Sequence, residues 1–153
     1  MTAPAPYNQD RPRQGNPPQQ TNTSAFAQAV RNGIDNEFIE WAEQFGKRIA
    51  NPRDYGQKDS DKVTTSQIRN IYGTVKKLEM NAELNLPAIL LLKPRIAYAT
   101  ARNKGLGDLA QVITKAIDVI SQGRDDAQKQ EYFQRFCKGF EAILAYHRAA
   151  GGK

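Results

Sequence analysis

A chain with one cysteine and one histidine has few routes to catalysis, and Cys137 and His147 are the only such residues among the 153 of this protein. They cannot build a zinc cluster or an HExxH helix, and a lone thiol cannot close an internal disulfide, which fits a reducing compartment. Walker and GxS patterns are missing too. The stretch GLGDL, from Gly105 to Leu109, has two glycines and lacks a third, so it reads as a turn that starts a helix rather than a phosphate loop. No apolar run approaches the ~20 residues that span a bilayer, and the opening MTAPAPYNQD has no basic region followed by an apolar one. Alternation of period two is scarce, which argues against a sheet. These absences predict a soluble, cytoplasmic, all-α protein with no metal, no cofactor and no membrane contact, and they leave an enzyme without candidate machinery.

What is present is positive charge and helical periodicity. The 22 Lys and Arg outnumber the 16 Asp and Glu, giving a net charge of +6, a balance that favours a polyanionic partner such as nucleic acid. Residues 1–22 hold five of the eight prolines and almost nothing apolar, too little to offset the entropy of ordering, so a disordered arm is expected there. Arg11 and Arg13 within it have the charge to touch a polyanion, although composition alone favours a solvated tail. Residues 23–153 are expected to form one compact bundle of about five helices.

The helices follow from apolar spacing and start signals. Ile34, Phe38, Trp41 and Phe45 recur at steps of three and four, with Asp35 as a cap and Asn51-Pro52 as the stop. A shorter helix over Ser24 to Arg31 ends near Gly33, and a polar loop runs from Pro52 to Val63. In VTTSQI, Thr64 and Gln67 have capping-box spacing and Val63 can staple to Ile68, so a helix starts at Thr65 with Ile68, Ile71, Tyr72, Val75 and Leu78 on one face. Its other face carries Arg69, Gly73, Lys76, Lys77 and Met80; a glycine there weakens the helix by roughly 1 kcal/mol relative to alanine and permits close approach by something. Leu106, Leu109, Ile113, Ile117 and Ile120 form the next stripe, widened by Val112 and Val119. The last helix starts at Asp125, again with capping-box spacing to Gln128, and places Phe133, Phe136, Phe140, Ile143 and Leu144 inward as the spine of the bundle. Cys137, beside Phe136 and Phe140, reads as a buried inert thiol. His147 falls in the final turn, where a protonated ring would meet the negative end of the helix dipole.

One stretch, LLKPRIAYATARNKG over 91–105, combines core and surface character. Pro94 lacks the amide proton of a helix interior, so either a helix restarts with Pro94 in first position or a continuous helix is kinked. Arg95, Tyr98, Ala99 and Arg102 then share one face while Leu92 and Ile96 point roughly the other way. From the residues alone this cationic face is either a solvated surface or a binding surface.

The motifs TTSQIRNIYGTVKKLE, LKPRIAYATARNKG and FCKGFEAILAYHRAAGGK, in that order, resemble the small helical subunit of the type III-A CRISPR effector, the Csm complex. The resemblance covers about residues 62–153, is weak over 23–61 and is missing from the arm. It implies a non-enzymatic antiviral role in which copies of the subunit stack as an inner filament, or pair as a dimer, beside other Csm subunits, with target RNA and guide RNA as partners. Phosphate contact is independent of sequence and suits a surface that accepts any guide–target pairing. The faces and the motifs together nominate Arg69, Lys76, Lys77, Lys93, Arg95, Arg102 and Lys104 as RNA-binding residues, with Tyr98 for stacking or sugar contact and Arg148 as an addition. The alternative reading is a helical protein–protein adaptor without direct nucleic-acid contact.

Overall fold

The computed structural model describes residues 22–151, so the expectation for the arm lies, but for Asn22, outside the described residues. Within them the chain is helical: α1 (Ala25–Asn32), α2 (Asn36–Ala50), α3 (Thr65–Glu79), α4 (Leu86–Leu90), α5 (Leu92–Arg102), α6 (Gly107–Ser121) and α7 (Asp126–Ala149), with no strand among the described residues. Three 3-10 turns, Pro52–Tyr55, Asp59–Asp61 and Lys104–Leu106, join them. The anticipated polar loop after α2 is therefore two helical turns, and its Pro52 is buried. Seven helices stand among the described residues where about five were expected, and the one that no start signal or periodicity marked is α4, five residues started by Asn85, whose side chain accepts from Ala88 N at 3.0 Å, and by Pro87 in the first turn.

Start signals act largely as their chemistry dictates. Asp35 caps α2 through Phe38 N at 2.8 Å. Thr64 and Gln67 make the reciprocal box, Gln67 N donating to Thr64 Oγ1 at 3.2 Å and Thr64 N to Gln67 Oε1 at 2.8 Å, with Val63 and Ile68 both buried. At α7 only half of the expected box forms: Asp125 accepts from Gln128 N, but Gln128 Oε1 accepts from Arg124 N, one residue further out. Ile34 leaves the predicted stripe of α2. Gly33, at φ 112°, turns the chain before the cap, so Ile34 lies outside the helix and is 38% exposed.

α7, 24 residues and about 36 Å long, is the spine, packing against α1, α2, α3 and α6. Its Phe136 and Phe140 are fully buried; Phe26 of α1 stacks on Phe136 with centroids 5.3 Å apart, and Phe140 meets Phe136 edge to face. Burying each such ring contributes on the order of 1.5–3 kcal/mol. Two glycines set how closely the spine is approached. A Cβ on Gly46 would sit 2.8 Å from Tyr146 Cβ and 2.9 Å from His147 N, and one on Gly139 would collide with the ring of Phe26. Arg135 finishes α1 from the spine, its guanidinium donating to the carbonyls of Val30 and Arg31.

His147 departs from expectation. Its side chain is fully buried, and Nε2 lies 2.6 Å from Val63 O. A carbonyl only accepts, so Nε2 carries the proton and the ring, kept neutral, presents a bare Nδ1 that finds no partner. Burial pushes its pKa below the ordinary 6.5 against the upward pull of the Val63 bond. The ring is thus a neutral clasp between α7 and the start of α3, not a cation answering the helix dipole. Val63 N meanwhile donates to Ile49 O at 2.9 Å, so one residue ties α2, α3 and α7 together. Cys137 is buried as anticipated, and burial pushes its thiol up to about 12, which keeps it protonated and inert.

Candidate nucleic-acid interface

On α3 the buried Ile68 and Val75, with Ile71, Tyr72 and Leu78 half-buried beside them, turn Arg69, Lys76 and Lys77 outward, where all three are exposed. Arg69 and Lys77 form no ion pair with another described residue. Lys76 bonds to Glu79 at 3.0 Å, and that hydrogen bond, followed by the charges of Tyr72 and Glu79, raises its pKa. It stays charged, but a carboxylate already answers it.

α5 starts at Leu92, so Pro94 occupies the third helical position rather than the first. The missing amide costs nothing there, because the first-turn N–H groups have no partner within their own helix. Leu91 closes α4 and opens α5 in a near-helical conformation. Leu92 and Ile96 are buried against the body of the protein, and α5 docks on α6. This divides the nominated residues of the stretch between two flanks. Arg95, Tyr98 and Arg102 share the outer flank with Leu91; Tyr98 is 64% exposed, Leu91 60% exposed, and the Arg102 guanidinium lies 5.9 Å from the centre of the Tyr98 ring. Arg95 and Arg102 have no ion-pair partner among the described residues.

Lys93 and Lys104 lie on the other flank, lining an open groove of about 650 Å³ between α5 and α6 together with Ala97, Ala101, Ala110 and Lys115. Lys93 is anchored there by Asp118 at 2.6 Å, across the pair of helices. Lys115 is not among the residues that periodicity nominates. Its position in α6 is an ordinary exposed one, and only the docking of α5 on α6 makes it the third lysine of a groove. Arg148, exposed in the last turn of α7, belongs with neither flank of α5. Nor do α3 and α5 dock on each other; α4 bridges them.

No group of three or more His, Cys, Asp and Glu residues able to hold a metal exists among the described residues, and no described helix is long and apolar enough to cross a membrane. No curated protein and no solved structure matches the chain. The profile of a family described as Csm2 Type III-A matches residues 35–153, which extends the likeness through α2, where the sequence motifs alone were weak. With that match covering α2 to the end of α7, the chain belongs to the Csm2 Type III-A family and is a small subunit of the type III-A Csm complex of CRISPR defence.

Proposed function

We propose that this subunit holds the paired guide and target RNA by the phosphodiester backbone, without base readout and without catalysing a reaction, as one of several stacked copies beside other Csm subunits. The observation that carries the proposal is the outer flank of α5, where Arg95 and Arg102 project on either side of an exposed Tyr98 with no carboxylate among the described residues to occupy them. Guanidinium forks bind phosphate oxygens in a fixed geometry, and an aromatic ring beside them offers a face to a sugar or base. Arg69 and Lys77 on α3 add two further cations that lack an ion pair among the described residues, and the cytosolic polyanion they suit is RNA.

A second reading, the adaptor that meets only proteins, is favoured by the groove between α5 and α6, whose alanine floor suits a protein side chain better than a sugar–phosphate chain. Crosslinking separates the two. In the assembled complex carrying labelled target RNA, ultraviolet irradiation is expected to join the RNA to the α5 peptide that contains Tyr98. Crosslinks confined to other subunits, with this chain present at full occupancy, would leave the adaptor.

A further inference from the structure

Gly73 stands in the middle of α3, where glycine weakens a helix relative to alanine, and nothing among the described residues asks for it. Its φ is not in the left-handed region, and a Cβ built on it would meet no atom of the described residues within 4 Å. The contrast with Gly46 and Gly139, whose missing side chains make room for Tyr146 and Phe26, is plain. What surrounds Gly73 is charge. Arg69 lies four residues before it, Lys76 three after and Lys77 four after, the spacings that make helical neighbours, and all three are exposed. Asn70, three residues before, is exposed as well. A patch of bare backbone is thus encircled by three long cationic side chains and an amide.

We infer that Gly73 is a seat for a phosphodiester backbone, kept free of a side chain so that the strand lies against α3 within reach of Arg69, Lys76 and Lys77 together. The inference rests on the RNA-backbone reading and adds the place where the strand comes closest. A methyl group on Gly73 would hold the strand off by roughly the length of a C–C bond, and charge-assisted hydrogen bonds of about 2.7–2.9 Å do not stretch that far without loss. A protein partner is the less suitable occupant. Arg69 and Lys77, which have no ion pair among the described residues, would have to be desolvated against it, whereas a polyanion answers both, competes with Glu79 for Lys76 and releases counterions on binding.

The seat makes two effects of one substitution run in opposite directions. Gly73→Ala should raise the melting temperature of the free subunit by about 2–6 °C, because alanine favours the helix and meets nothing. In the complex reconstituted with guide RNA, the same variant should weaken target-RNA binding on the order of fivefold to tenfold and flatten its salt dependence. Gly73→Gln, neutral and also helix-favouring, should lose more. Arg69→Ala serves as the companion variant. Unchanged binding by Gly73→Ala beside weakened binding by Arg69→Ala would overturn the seat and leave the RNA reading standing. Unchanged binding by both would remove α3 from the RNA interface and the seat with it. A fall in melting temperature, or a Gly73→Ala subunit that melts higher yet no longer joins the complex, would also overturn the seat, assigning the glycine to the fold or to a protein neighbour.

Discussion

Acidification from pH 8 to 5.5 should destabilise this protein through His147. His147 is the only histidine of the chain, it is fully buried, and folding pushes its pKa below the ordinary 6.5 because burial disfavours the charged ring. The unfolded chain therefore takes up a proton near pH 6.5 that the folded chain refuses. The stability that the neutral ring contributes is complete above pH 6.5 and is lost as pH falls toward the lower pKa of the folded state. One proton bound by the unfolded state alone gives a slope of at most about 1.4 kcal/mol per pH unit, and a fall in melting temperature of at most roughly 3–6 °C between pH 6.5 and 5.5. Thermal unfolding followed by circular dichroism from pH 8 to 5.5 reads this directly. His147→Leu supplies the control: it should cost about 1–3 kcal/mol at pH 8, since the buried Val63 carbonyl loses its donor, yet show a nearly flat profile over the same range. A parent whose stability is flat or rises on acidification, or a Leu variant with the parent's slope, would refute the neutral-clasp assignment.

Two further outcomes follow from burial. Ile96 is 3% exposed, so Ile96→Asp places an unpaired carboxylate in an apolar site at a cost of several kcal/mol, a large share of the roughly 5–15 kcal/mol of a typical domain, and the subunit should lose its cooperative melt. Cys137→Ala should cost roughly 1 kcal/mol in a urea titration, somewhat more if the cavity stays open, and leave RNA binding by the folded complex unchanged; a folded variant that lost all activity would contradict the packing role.

The parts of the fold that sequence made legible are those set by local chemistry. The Thr64–Gln67 box, the Asp35 cap and the phenylalanine spacing of α7 each act within a turn or two of themselves, and each appears where its residues put it. What stayed hidden depends on residues far apart in the chain. The partner of His147 is 84 positions away, and the packing that brings the two together also buries the ring, so that burial, against the pull of the bond itself, makes a neutral ring of an expected helix-end cation. Lys93 finds Asp118 25 positions on, which anchors it in the groove with α6. The periodicity of α5 correctly grouped Arg95, Tyr98 and Arg102, because a shared helical face is local; that Lys93 and Lys104 line a groove with Lys115 required knowing where α6 docks. Pro94 was ambiguous for a related reason, since α4, which ends just ahead of it, is too short to announce itself by periodicity.

The most direct test of the backbone-binding claim is a salt titration of target binding by the assembled complex, parent against the Arg95→Ala, Arg102→Ala double variant, with two guide–target pairs of unrelated sequence. Both side chains project from the outer flank of α5, so the variant should fold and assemble as the parent does. Each phosphate deprived of its guanidinium should flatten the slope of log K against log salt by roughly 0.7–1, and the affinity should fall by a similar factor for both sequences. Unchanged affinity and slope in a folded, assembled double variant would contradict the account, and so would a weakening confined to one of the two sequences.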